Sequence, residues 1–283
     1  MNLVTTLFKV KRIPGSRLIG EQSLDNSSFR QQEYRDCLLH NLSHPGVDSI
    51  LLLVEGIAAY RELCHPLLAN RPLTSGSGKL IPILFSGSTV MREGRTPSIG
   101  QPTRLPTYED LFRIANQLAP GTPCMVCNAD IYLSPQHFRV PDVVNLFKRE
   151  NASHPSFERE SGEEKWKRVA LALTRYESDH PRDAPLISDY RGSHDAFIVR
   201  PPLPESFLRA VAHPQNAYQA ENIVIHELRR SGYTVLNPCL DLHIIHRHAS
   251  GIRQWLPSVD PTRYGRAAPT TMRDVTLKLA QNI

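Results

Sequence analysis

Cys124-Met125-Val126-Cys127-Asn128-Ala129-Asp130-Ile131-Tyr132 is the stretch on which the fold turns. Four residues that bury well run into Asn128 and Asp130, and Pro120-Gly121 breaks the chain just upstream. A short apolar run without alternation is the pattern of a strand covered on both faces, as in a parallel sheet. Open α/β sheets bind ligands beyond the carboxyl ends of such strands, which is where Asp130 would stand. An aspartate there either helps to hold a divalent cation through oxygen or caps the next turn, and spacing leaves the two readings even. Cys124 and Cys127 have redox or zinc spacing, but no second pair accompanies them, and strand core is the better reading.

Similar runs recur on either side. Asn2 to Phe8, Asp48 to Glu55, Lys79 to Phe85, Val169 to Arg175, Ala196 to Val199 and Thr234 to Leu236 read as strands. Between them, helices are expected over Phe29 to Asn41, around Ala58 to Ala69, over Thr107 to Leu118 and over Ala220 to Ser231, with a last one near Arg273 to Gln281. Thr107 is a natural N-cap, followed by Glu109 and Asp110 in the first turn. Residues 87 to 106 read as a long loop, and Asn145 to Lys167 as a polar, flexible excursion. Strands alternating with helices define an α/β class with a mostly parallel central sheet flanked by helices.

Composition narrows the field. The 283 residues suit one large domain, and 40% hydrophobic with 22% charged residues is globular. A net charge of +5 and a pI near 9.0 favour anionic partners without proving one. No run approaches the roughly 20 apolar residues of a membrane span, and Met1 to Val10 is too short an apolar run for a signal peptide. The five cysteines do not form a disulfide framework, so a cytoplasmic chain with reduced thiols is expected. Phosphate-binding P-loops, dinucleotide fingerprints and nucleophile elbows do not appear in the sequence.

Three further clusters could carry chemistry. In His243-Ile244-Ile245-His246-Arg247-His248, a strand would put His246 and His248 on one face and His243 on the other. That pair could supply a metal ligand and a phosphate contact, or simply be a solvated edge. Asp195, in Ser193-His194-Asp195 before the strand at Ala196, could act as a general base or merely close a turn. Glu221-Asn222 opens a helix, where a glutamate also suits the dipole.

Taken in order, these elements resemble the GT-A-type nucleotide-sugar glycosyltransferases over roughly residues 2 to 253. The resemblance rests on Val4-Thr5-Thr6, Arg30-Gln31-Gln32-Glu33-Tyr34-Arg35-Asp36, Leu51-Leu52-Leu53-Val54-Glu55 and Arg104-Leu105-Pro106-Thr107-Tyr108-Glu109-Asp110. It continues through Asn128-Ala129-Asp130-Ile131, Ala172 to Tyr176, Ser193-His194-Asp195, Glu221-Asn222, Gly232-Tyr233 and His246 to Ser250 with Arg253. Asn128-Ala129-Asp130 stands where that family carries an Asp-x-Asp metal motif; Asn128 leaves one clear carboxylate.

The resemblance implies a single GT-A-like, Rossmann-like domain over 1–253, with the Pro-rich segment and helix of 254–283 packing on it. It implies a nucleotide-diphosphate sugar as donor and Mn²⁺ or Mg²⁺ as the divalent metal. Asp130, His246 and His248 would hold the metal. Thr5, Thr6, Glu55, Arg92, Arg104, Asn128, Asp130, Asn222 and Arg253 would bind the nucleotide sugar. Asp195, with Glu221 second, would act on the acceptor hydroxyl. The acceptor is left open among a glycan, a small molecule and a modified nucleic acid. Basic charge and the arginines at 92 to 104 also fit a nucleic-acid-binding protein, or a glycosyltransferase acting on a modified DNA base, although interleaved aromatics are lacking.

Overall fold

The computed structural model describes residues 1–10, 17–19, 26–64, 79–85, 105–152, 168–177, 193–251 and 253–280. Its central sheet has seven strands in the spatial order β10-β7-β9-β5-β1-β3-β4. These are β1 (Asn2–Leu7), β3 (Ser49–Val54), β4 (Leu80–Leu84), β5 (Cys124–Cys127), β7 (Arg168–Leu173), β9 (Ala196–Val199) and β10 (Tyr233–Leu236). Every neighbouring pair is parallel except the two made by β9, which runs against β5 and β7. The mostly parallel α/β sheet expected from the sequence is present.

Apolar runs without alternation bury both faces of these strands. In β3, Ile50, Leu52 and Val54 belong to one core cluster, while Leu51 and Leu53 belong to the other. The first cluster is closed by Leu38 and Leu42 of α1 (Asn26–Ser43), by Val143, Leu146 and Phe147 of α4 (Val140–Ala152), and by Val275 of α7 (Met272–Ala280). The second is closed by Leu111, Phe112 and Ala115 of α3 (Tyr108–Leu118), Phe207 of α5 (Glu205–Ala210), and Val224 and Leu228 of α6 (Ala220–Arg230). A short α2 (Ile57–Leu63) follows β3.

Two of the stretches read from the sequence take a different form. The stretch from Asn145 is helical as far as Ala152, because Val143, Leu146 and Phe147 fall at helical spacing and bury against the sheet; the rest of that excursion lies outside the described residues. The run Val169 to Arg175 is not one strand. Thr174 leaves the sheet, its amide donating to Asn237 Oδ1 at 3.1 Å, and β8 (Arg175–Glu177) joins a second sheet instead. That small sheet has the order β6-β11-β8, with β6 (Ile131–Leu133) and β11 (Ile244–His246). A two-stranded pair, β2 (Arg17–Ile19) with β12 (Arg253–Trp255), lies apart from both.

α3 begins as its sequence announces. Thr107 Oγ1 accepts from the Asp110 amide at 3.2 Å, and Asp110 Oδ2 accepts from the Thr107 amide at 2.8 Å. This reciprocal cap satisfies two donors that the first helical turn leaves open. Thr107→Ala is expected to cost about 1 kcal/mol, read as a lowered denaturant midpoint with unchanged slope; an unaltered midpoint would show that the cap contributes nothing.

Candidate functional site

The two sheets meet at the carboxyl ends of the parallel strands, and antiparallel β9 makes that junction. Ala196 is in register with both Cys127 and Leu173. The residues one step beyond are therefore forced together: the Asn128 amide donates to Asp195 O at 3.2 Å, and the Asp195 amide donates to Leu173 O at 3.1 Å. Past this edge, β6 starts directly after Asp130, and β11 pairs with both β6 and β8. His246 thus comes opposite Ile131 on one side and Glu177 on the other.

Asp130 is the focus of what results. Its Oδ2 accepts from Arg30 Nη2 and lies 3.0 Å from His246 Nε2 and 3.9 Å from His248 Nδ1. Burial pushes the Asp130 carboxyl up, but the charges of His246 and Arg30 outweigh it, and the group sits well below the usual carboxylate range. His246 responds in kind: burial disfavours its charge, yet Asp130 and Glu177 raise it above its ordinary value. His248 goes the other way, burial lowering it toward the neutral ring.

Ligand atoms of Asp130, His246 and His248 all lie within 4.8 Å of one another. Among the described residues both ring nitrogens of His248 are buried without a hydrogen-bond partner, although its ring stacks on His246 at 5.0 Å. An imidazole whose charged form burial disfavours, with unpartnered nitrogens beside a carboxylate held ionised, is a donor set that suits a divalent metal ion. The residues fit a divalent ion. His243 takes no part: it stacks on Tyr176 at 4.0 Å, on the side of the strand expected for it.

The remaining charges form one chain of hydrogen bonds. Glu177 Oε2 meets His246 Nδ1 at 2.6 Å, and its Oε1 accepts from Arg175 Nε at 2.7 Å. Arg175 Nη1 reaches Asp195 Oδ1 at 2.8 Å, and Ser193 Oγ donates to Asp195 Oδ2 at 2.6 Å. Asn128 Nδ2 approaches Asp195 Oδ1 at 3.3 Å, while its Oδ1 accepts from Gln215 Nε2 at 3.0 Å. On the far side of Asp130, Arg30 bonds Glu33 at 2.9 Å, and Glu33 accepts from the Ser250 amide and hydroxyl at 2.8 and 2.7 Å. Burial pushes Glu177 up, but its bond to His246 and the Arg175 charge bring it down to about 2. The partly buried Glu221, at the first turn of α6, is driven up to about 8 by burial and then by the charge of Asp195.

Sequence reasoning named Asp130, His246, His248, Asn128, Asp195 and Glu221, and the structure gathers them at one edge. It passed over Arg30, Glu33, Arg175, Glu177 and Gln215. Arg175 and Glu177 are legible in hindsight as charges directly after a stretch that buries. Thr5 and Thr6 lie buried in β1, Thr5 Oγ1 donating to Cys127 O at 3.1 Å. Glu55 follows β3 and accepts from the Lys9 amide at 3.2 Å. Asn222 is buried with Nδ2 donating to Gly265 O at 2.8 Å, an anchor for the 265 loop. Arg92, Arg104 and the side chain of Arg253 lie outside the described residues.

No protein-family model matches the chain, and no curated protein does. Similar solved structures include S. aureus TarS 1-349 in complex with UDP-GlcNAc, at 10% identity and a TM-score of 0.41, covering 99% of this chain and 65% of that one. This chain thus spans just under two thirds of that structure. The inositol-1-phosphate CTP transferase from T. maritima follows at 10% identity and a TM-score of 0.37, covering 99% and 95%. HddC from Yersinia pseudotuberculosis has 12% identity and a TM-score of 0.35, covering 87% and 92%. Likenesses this distant bear on neither activity nor substrate.

A carboxyl group raised by folding binds its proton more tightly in the native state, so native stability falls as pH rises from the unfolded value toward about 8. Glu221→Gln removes that loss. The melting temperature of Glu221→Gln minus that of the wild type is therefore expected to grow between about pH 5 and about pH 8; a flat difference would refute the raised carboxyl.

Proposed function

We propose that this chain is a metal-assisted glycosyltransferase that moves a sugar from a nucleotide-diphosphate donor to an acceptor hydroxyl. The observation that carries the reading is the cluster of Asp130, His246 and His248, in which the His248 ring nitrogens have no hydrogen-bond partner among the described residues, at the carboxyl-end edge of a mostly parallel sheet. Two imidazoles beside one carboxylate favour Mn²⁺ over Mg²⁺, which prefers an all-oxygen shell. Such an ion, when bound, neutralises the negative charge of a diphosphate leaving group.

The chain's own residues divide the remaining work. Arg30 and His246 hold Asp130 ionised, and Glu177 fixes His246 so that Nε2 faces Asp130. In transfer, the acceptor oxygen gains a bond to the sugar's anomeric carbon. The bond from that carbon to the diphosphate oxygen breaks, its electron pair leaving on the nucleoside diphosphate. The hydroxyl proton needs a base, and here the preference between the two carboxylates is exchanged. Asp195 is 3% exposed and its oxygens are engaged by Arg175, Asn128 and Ser193. Glu221 is more accessible, and its raised value of about 8 suits a group that takes a proton near neutrality. We assign Glu221 as the base and Asp195 as the neighbour that helps to raise it.

The reading is tested by thermal shift with nucleoside diphosphates and nucleotide sugars, with and without Mn²⁺. One nucleotide class is expected to raise the melting temperature only with the metal present. His248→Ala removes no hydrogen bond among the described residues and should keep the fold while losing most of the Mn²⁺-dependent shift; Asp130→Asn should abolish it. Stabilisation by DNA or RNA alone, or the same nucleotide shift in both variants, would overturn the assignment. Where turnover is measured, kcat/KM should rise with pH and level off above about 8, and Glu221→Gln should lower it by at least about 100-fold.

A further inference from the structure

Three side chains converge on one oxygen. Asp130 Oδ2 accepts from Arg30 Nη2 and lies 3.0 Å from His246 Nε2 and 3.9 Å from His248 Nδ1. The oxygen that completes a ligand set with the two imidazoles is therefore the one that the guanidinium already holds. Two cations bound to one oxygen stand within about 5 Å of each other. In a buried site, little screened by solvent, the repulsion between them is strong. Arg30 and a divalent ion thus compete for Asp130 unless an anion comes between them.

The rest of the guanidinium does not depend on Asp130. Its Nη1 donates to Glu33 Oε2 at 2.9 Å and to Arg247 O at 3.2 Å, and its carbon sits 4.6 Å from the centre of the Tyr34 ring. Glu33 is fixed in turn by the Ser250 amide and hydroxyl, at 2.8 and 2.7 Å. These anchors keep Arg30 in place when Asp130 turns to another partner, with its Nη2 edge open to a new acceptor. The planar fork of an arginine suits phosphate oxygens. Arg175 is less suited to that task, because its nitrogens are spread over Glu177, Ser193 and Asp195.

We propose that Arg30 competes with the divalent ion for Asp130 Oδ2 and, once displaced, binds the diphosphate of the donor. This rests on the glycosyltransferase reading and adds a diphosphate ligand that the reading does not name. The ion alone then binds weakly, and the diphosphate tightens it by taking up the guanidinium.

The test compares the full chain as wild type, as Arg30→Gln, and as Arg30→Gln combined with Glu33→Gln. The double variant removes both charges of that ion pair and keeps an acceptor for Ser250, so it should fold even where the single variant does not. Circular dichroism checks each. Binding of Mn²⁺ to the chain alone is read from the electron paramagnetic resonance of the free ion. Binding of ADP, CDP, GDP and UDP at saturating Mn²⁺ is read by isothermal titration calorimetry. Without the guanidinium, Mn²⁺ alone should bind at least about 5-fold more tightly, and the preferred diphosphate at least about 5-fold more weakly, than in the wild type. A purely structural Arg30 would instead let both affinities fall or leave both unchanged. Mn²⁺ binding that is unchanged or weaker in a folded variant, or diphosphate binding that stays at the wild-type level, would overturn the proposal. A wild type that binds no diphosphate with Mn²⁺ would overturn the glycosyltransferase reading itself, and the proposal with it.

Discussion

The carboxylate of Asp130, 9% exposed, is the constraint from which the site follows. A buried ion that is not compensated is expensive, and truncating one partner of a buried pair costs several kcal/mol (about 3–5). The fold meets this with groups drawn from distant parts of the chain. Arg30 comes from the first helix, lying 4.6 Å from the centre of the Tyr34 ring as well as bonding Glu33. His246 comes from the strand beside Asp130, and His248 from just beyond it. A cluster tied to α1, β6 and β11 at once is as rigid as the sheet that supports it. Rigidity of this kind lets a polar site act without reorganising when charge develops.

The second structural idea is the use of β8 as a connector. Arg175 and Glu177 are two apart on a strand, so they share a face, and that face looks toward both halves of the site. Glu177 ends at His246; Arg175 ends at Asp195. Asp130, His246 and Asp195 are thereby joined by one unbroken set of hydrogen bonds. A change of charge at one end is felt at the other through short, largely desolvated links, where hydrogen bonds reinforce one another.

Much of the fold was legible because burial on both faces leaves a plain mark: Ile50 to Val54, Cys124 to Cys127 and Ala196 to Val199 are apolar without alternation. The Thr107 cap is local chemistry and was read locally. Asp130 was legible as a position, though not as an interaction. What escaped was tertiary. Arg30 and Asp130 are a hundred residues apart, and helix α1 carries too weak an apolar stripe to advertise which of its charges turn inward. The split of 168–177 depends on Asn237, sixty-three residues away, capturing the Thr174 amide. Phe147 and its neighbours were missed because polar residues on the solvent face of α4 outvoted a three-residue stripe. Asp195 was seen, but its engagement by Arg175, Asn128 and Ser193, which come from other parts of the fold, could not be.

The central claim is that Asp130, His246 and His248 hold a divalent ion that a nucleoside diphosphate then shares. The most direct measurement is a crystal structure of the chain grown with Mn²⁺ and the stabilising nucleotide, with diffraction data collected to locate manganese by anomalous scattering. The account expects one strong peak within coordination distance of all three side chains, roughly 2.0–2.3 Å, with diphosphate oxygens completing the shell. A site without the peak at full nucleotide occupancy, or a peak elsewhere with Arg30 and His246 still closed on Asp130, would contradict it.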